Sequence, residues 1–185
     1  MSRNIVVLGD SISAAYGINK NEGWVTLLER KLADEGYSDY KVINASISGN
    51  TTGDGLSRLP LLLSEYRPEI VLVELGGNDG LRGYPIKLME NNLLQIIEKS
   101  KTVGSKILLA GIEIPPNYGK RYTEAFSKAY KNVAKKSDVI FLPFILEGVA
   151  TNPQLMQKDG IHPTTEAQTI LLSNIWPYLK ELLKR

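Results

Sequence analysis

Five short apolar runs separated by longer amphipathic stretches constrain this chain more than any other feature. The runs Ile5 to Leu8, Lys41 to Asn44, Ile70 to Leu75, Lys106 to Ala110 and Val139 to Leu142 read as buried strands. Between them, apolar residues recur at helical spacing. Trp24, Leu27, Leu28 and Leu32 share a helical face ending at Gly36, and Met89, Leu93, Ile96 and Ile97 do so before Gly104. Tyr122, Ala125, Phe126, Ala129 and Val133 mark another face. Leu56, Leu59 and Leu63 predict a helix after Gly53, with Pro60 kinking it or delaying its start. The last helix is expected to open at Thr164, bend at Pro177 and bury Ala167, Ile170, Leu171, Ile175, Tyr178 and Leu182. Such alternation implies a mostly parallel five-stranded sheet with helices on both faces, joined by right-handed crossovers.

Composition narrows what this α/β chain does. Its 185 residues, 43% of them hydrophobic, fill one core, so residues 1–185 are read as a single domain. The 22 Lys and Arg are nearly balanced by 20 Asp and Glu without a block of one sign, which argues against a nucleic-acid partner. The absence of cysteine excludes disulfides, thiolate metal sites and a cysteine nucleophile. A single histidine rules out a zinc site built on several imidazoles, so neither metal nor cofactor is expected. No run reaches the length of a membrane helix, and Ile5 to Leu8 is too short for a signal-peptide core, so the chain reads as soluble and leaderless.

In open α/β sheets, ligands bind beyond the carboxyl ends of the strands. Ser11 follows the first run there, Gly49 the second, in Ser46-Ile47-Ser48-Gly49-Asn50, and Asn78 the third, in Glu74-Leu75-Gly76-Gly77-Asn78-Asp79-Gly80. Asp159 and His162 lie beyond the fifth, in a connection from Phe144 to Pro163 whose length marks a functional or mobile loop. Taken singly, each has an ordinary structural reading: histidine as a surface or hydrogen-bonded residue, glycine and asparagine as caps and turns. Together they supply every group that acyl transfer needs. Ser11 would be the nucleophile, His162 the base and Asp159 the carboxylate that orients it. The backbone N–H groups of Ser11 and Gly49 and the Asn78 amide would hold the oxyanion. Asp10 and Asp79 are expected to brace the site. Gly9-Asp10-Ser11-Ile12-Ser13 lacks the second glycine of G-x-S-x-G, so the usual α/β-hydrolase elbow does not apply.

Gly9-Asp10-Ser11-Ile12-Ser13, Gly49, Gly77-Asn78-Asp79 and Asp159-Gly160-Ile161-His162-Pro163 resemble, in order, the blocks of GDSL or SGNH hydrolases. Asn44 to Gly49, Leu75 to Gly83 and Pro115-Pro116-Asn117-Tyr118-Gly119 look like the thioesterase I, lysophospholipase L1 and arylesterase branch. The resemblance implies a three-layer α/β/α, flavodoxin-like hydrolase with Ser11, Asp159 and His162 as triad and Ser11, Gly49 and Asn78 as oxyanion hole. It implies no cofactor and a small acyl ester or thioester as the partner. It also implies a periplasmic or secreted location, although the chain opens almost at its first strand. Glu113 lies where relatives of that branch carry a basic residue, which points to neutral esters rather than anionic acyl-CoA. Substrate contacts are expected from Gly77, Asp79, Leu81, Ile114, Pro115 and Phe144, with Tyr84, Ile145 and Leu146 as further groove residues. Gly76, Gly80 and Gly83 are read as letting their loop move. The reading that follows is an esterase for short- to medium-chain esters with thioesterase and lysophospholipase activity. One alternative is a sugar O-acetyl esterase of the same fold. A receiver-like signalling domain would also place Asp10 after the first strand, but it needs a lysine after the last, where Pro143 and Phe144 stand.

Overall fold

A computed structural model describes residues 3–185. The strands are β1 (Arg3–Gly9), β2 (Tyr40–Asn44), β3 (Ile70–Glu74), β4 (Lys106–Ala110) and β5 (Ile140–Leu142), forming one sheet in the order β2-β1-β3-β4-β5. All four pairings are parallel. The two inner strands explain why their sequences run apolar without alternation: Ile5 to Leu8 and Ile70 to Val73 are fully buried, covered on both sides.

The helices are α1 (Trp24–Asp34), α2 (Thr52–Tyr66), α3 (Gly77–Leu81), α4 (Ile86–Thr102), α5 (Lys120–Ser137) and α6 (Gln168–Lys180). They pack as two groups, α1 with α6 on one face and α2, α4 and α5 on the other. The apolar stripes point into these layers, with Trp24, Leu28 and Leu32 of α1 and Phe126, Ala129 and Val133 of α5 buried.

Three elements differ from the sequence reading. Helix α2 begins at Thr52, ahead of Gly53, and carries Pro60 in its interior. Thr51 and Asp54 set that start by a reciprocal capping box in which each side chain takes the other's backbone N–H. Helix α6 begins at Gln168, four residues after Thr164. Thr164 is used otherwise: its N–H donates to Leu155 O at 2.8 Å, and residues 164 to 168 form tight turns instead of a helical ladder. Leu179 is buried on α6, whereas the predicted Ile170, Tyr178 and Leu182 are only half-buried.

The third difference is α3, a short helix where a mobile glycine loop was expected. Its glycines serve close packing. A Cβ on Gly80 would lie 2.7 Å from Ile114 Cγ2 and from Phe126 Cε2. Gly76, at φ +119°, has the Tyr130 hydroxyl where its Cβ would be, and that hydroxyl donates to Leu75 O at 2.6 Å. Only Gly83 of the three has open space around it.

Candidate active site

Ser11 stands just past β1, where the chain leaves the sheet in a helical turn, with Ala14 N–H donating to Asp10 O at 2.9 Å and Tyr16 N–H to Ser11 O at 3.1 Å. Gly9 makes room for this turn, since a Cβ there would meet Ser13 Oγ and Ser46 Oγ at 2.9 Å. Asp10 closes it from below, its Oδ1 accepting the Ile12 N–H at 3.1 Å. Ser13 Oγ donates to Glu74 Oε1 at 2.7 Å, tying the turn to the end of β3.

His162 comes from the connection between β5 and α6. Its Nε2 is 2.9 Å from Ser11 Oγ and its Nδ1 is 2.5 Å from Asp159 Oδ2. Asp159 Oδ1 accepts the N–H groups of Ile161 at 2.9 Å and His162 at 3.0 Å. The three-residue spacing is therefore a turn that aims both side chains at each other. An ionised carboxylate only accepts, so the ring proton lies on Nδ1 and Nε2 is left to accept from the Ser11 hydroxyl. Burial raises the Asp159 carboxyl, but hydrogen bonds from the His162 ring and from two backbone N–H groups outweigh it and bring it down to about 2.

Gln157 holds this connection in place, and nothing in the sequence singled it out. Its N–H donates to His162 O at 2.7 Å, and its Nε2 donates to Tyr16 O at 2.8 Å and Pro163 O at 3.0 Å. The Tyr16 ring lies against the imidazole with centroids 4.4 Å apart. The long loop that sequence length marked as mobile or functional is thus fastened to the turn that carries Ser11. An antiparallel bridge between Met156 and Pro163 closes its end.

The expected oxyanion donors lie beyond the ends of β2 and β3. Gly49 adopts φ +84°, a left-handed conformation suited to glycine. Asn78, in the first turn of α3, spends one amide hydrogen on Asn50 O at 2.9 Å and keeps the other. Two arginines secure the Gly49–Asn50 segment: Arg82 Nη2 donates to Gly49 O at 3.0 Å and Arg58 Nε to Asn50 Oδ1 at 2.9 Å. Asp79 turns the other way. It is 2% exposed, and its carboxylate accepts Thr52 N–H at 2.9 Å and Thr52 Oγ1–H at 2.6 Å, joining α3 to the start of α2.

A groove of about 420 Å³ opens beside Ser11 and His162. Its apolar wall is made by Ile12, Leu81, Ile112, Ile114, Pro115, Phe144, Leu146 and Met156, and Gly77, Asn78 and Glu113 also line it. Gly77, Leu81, Ile114, Pro115 and Phe144 are therefore where substrate contacts were expected. Asp79 is the buried brace expected of it and not a substrate contact, because Thr52 occupies both of its oxygens. Tyr84 projects to solvent outside the groove, and Ile145 is fully buried in the core. Ile112 and Met156 stand at the ends of two loops, Ile112 to Tyr118 and Phe144 to Met156, that the sequence marks for substrate recognition. A larger, shallow depression of about 870 Å³ between α2 and α4, bordered by Pro60, Arg67, Glu98 and Val103, contains none of these groups.

A hydroxyl, an imidazole and an ionised carboxylate in series at the carboxyl rim of a parallel sheet, with amide donors beside them, define a serine hydrolase. The model of the GDSL-like lipase/acylhydrolase family matches residues 7–170, and the chain belongs to that family. Esterase TesA of Pseudomonas aeruginosa is 53% identical over 98% of this chain and 90% of its own length. The thioesterase 1/protease 1/lysophospholipase L1 of Escherichia coli strain K12 is 48% identical over 90% of this chain and 78% of its own. Among solved structures, the psychrotrophic esterase EstA from Pseudoalteromonas sp., inhibited by monoethylphosphonate, superposes with a TM-score of 0.92 at 42% identity, covering 97% of this chain and 98% of that one. This chain is an ester-cleaving serine hydrolase.

Proposed function

We propose that this hydrolase cleaves short- to medium-chain acyl esters through an acyl-enzyme on Ser11, with thioesters and lysophospholipids as further substrates. Ser11 Oγ attacks the acyl carbon while its proton passes to His162 Nε2, and the carbonyl π pair moves onto oxygen. Asp159 keeps the ring in the tautomer that can accept and stabilises the imidazolium. The oxyanion receives the N–H groups of Ser11 and Gly49 and the remaining amide hydrogen of Asn78. Collapse expels the alkoxide or thiolate, which takes the proton from His162, and water then repeats the sequence on the acyl-enzyme.

The observation that carries the substrate class is the apolar groove that begins at Ser11. Its volume of about 420 Å³ suits a ligand of modest size. Walls of Leu81, Ile112, Ile114, Phe144 and Met156 would reward methylenes rather than hydroxyls, which favours an acyl chain over an acetylated sugar. Glu113 is the one charged side chain in the groove besides the residues around Ser11 and His162, and it opposes an anionic tail. The printed activities of the relatives, esterase and thioesterase/lysophospholipase, support the breadth of leaving groups.

A series of p-nitrophenyl esters of increasing acyl length tests this. Each methylene that enters the groove contributes about 0.8 kcal/mol, so kcat/KM should rise about fourfold per CH₂ until the groove is full and then level off. A maximum at acetate, with acetylated sugars preferred, would assign the protein to the carbohydrate esterases instead.

A further inference from the structure

Behind Ser11 lie two carboxyl groups that the acyl-transfer scheme does not use. Asp10 and Glu74 are 2% and 0% exposed, and strand register sets Glu74 directly beside Gly9. Glu74 Oε1 accepts from Ser13 Oγ, whereas Glu74 Oε2 is buried with no N–H or O–H of the described residues to pair with. The Asp10 carboxyl lies within hydrogen-bonding reach of the Glu74 carboxyl. No cation pairs with either side chain among the described residues. The other titratable groups turned toward the pair are already engaged: Tyr130 of α5 donates to Leu75 O, Asp79 of α3 is held by Thr52, and His162 is held by Asp159 and Ser11.

We propose that Glu74 is a positioning residue that stays protonated at neutral pH and donates its hydrogen bond to an ionised Asp10, which in turn fixes the turn that presents Ser11. Two bare carboxylates side by side in a dry site cost far more than the interactions available here return, whereas one proton between them gives Oε2 its missing partner. Glu74 is the one that keeps the proton. It is the more deeply buried of the two and meets only the Ser13 hydroxyl and, more weakly, the Asp10 N–H, whereas Asp10 has a direct bond from the Ile12 N–H. Burial, and then the charge of Asp10, push the Glu74 carboxyl well above its ordinary range. Burial also raises Asp10, to about 6, against the opposing pull of Ile12 N–H, Glu74 and His162. Asp10 thus takes up a proton under mildly acidic conditions, and the brace under Ser11 is lost as it does.

The functional part of the proposal rests on Ser11 being the nucleophile, but its physical part does not, and two measurements separate them. Carboxyl ¹³C NMR of the parent protein should show Glu74 protonated throughout the neutral range and Asp10 titrating near 6. A Glu74 resonance that moves through the ordinary carboxylate range near 4.5 would overturn the proposal and leave the Ser11 assignment untouched. In kinetics, Glu74→Gln, which keeps both shape and donor, should hold kcat/KM within about twofold and preserve its pH profile. Glu74→Leu, which removes the donor, should move the acid limb of kcat/KM up by about one pH unit by making Asp10 easier to protonate. Parent-like behaviour of Glu74→Leu, or an equal shift in Glu74→Gln, would sink the positioning role.

Discussion

His162 has no understudy. It is the sole histidine of the chain, and the ring sits between Ser11 Oγ and Asp159 Oδ2. His162→Ala should fold normally and lose about 10⁴-fold or more in kcat, measured by steady-state hydrolysis of an aryl ester. Asn78→Ala removes a proposed oxyanion donor and should cost about 10² to 10³-fold in kcat with little change in KM, because that bond strengthens only as charge develops. These residues were legible because their chemistry is tied to their type: only certain side chains serve as base or nucleophile, and a strand end tells where they point. Gln157, Arg58 and Arg82 were not legible. Gln157 and Arg82 bond to backbone carbonyls distant in sequence and Arg58 to an asparagine in the loop before its own helix, and a glutamine or arginine side chain carries no mark of such a partner. Asp79 does brace the site as expected, but its partner Thr52, 27 residues away, could not be read and keeps it from the substrate contact also expected of it.

At the level of elements, α3 positions Asn78, and it does so by lying close against the core. Gly80→Ala forces a methyl group into Ile114 and Phe126, so it should destabilise the protein by about 1–3 kcal/mol and lower kcat by displacing Asn78. Denaturant unfolding and turnover of the same variant would check both effects. A stable variant with parent-like turnover would mean that the groove wall yields freely. Thr51→Ala dismantles the capping box of α2 and should cost about 1 kcal/mol. The strands and the long helices followed from apolar periodicity, and their assignment agrees closely with the structure. A five-residue helix is too short to show a period, and its glycines resemble those of a loop until the neighbouring side chains are in place. The start of α6 was misread because Thr164 looks like a helix cap but bonds to Leu155 O instead.

Taken as a whole, the molecule places the ends of β1, β3 and β4 and the connection between β5 and α6 around one groove, and the carboxyl groups beneath and beside it tie stability to pH. Glu74 is raised in the folded state, so its contribution is fully present below about 4.5 and is lost as pH rises toward its folded value. Thermal melts at pH values rising from 4.5 should therefore fall less steeply for Glu74→Gln than for the parent. Asp159 acts in the opposite sense: lowered to about 2, it adds stability above 3.8 that is lost as pH falls toward 2, discounted because the side chain is 39% exposed. The central claim is that this arrangement makes Ser11 the nucleophile. Labelling with a fluorophosphonate, followed by peptide mass spectrometry, tests it most directly. A single adduct on Ser11, absent from Ser11→Ala, is the predicted result; an adduct on Ser13, Ser46 or Ser48, or an active enzyme that takes no label, would contradict it.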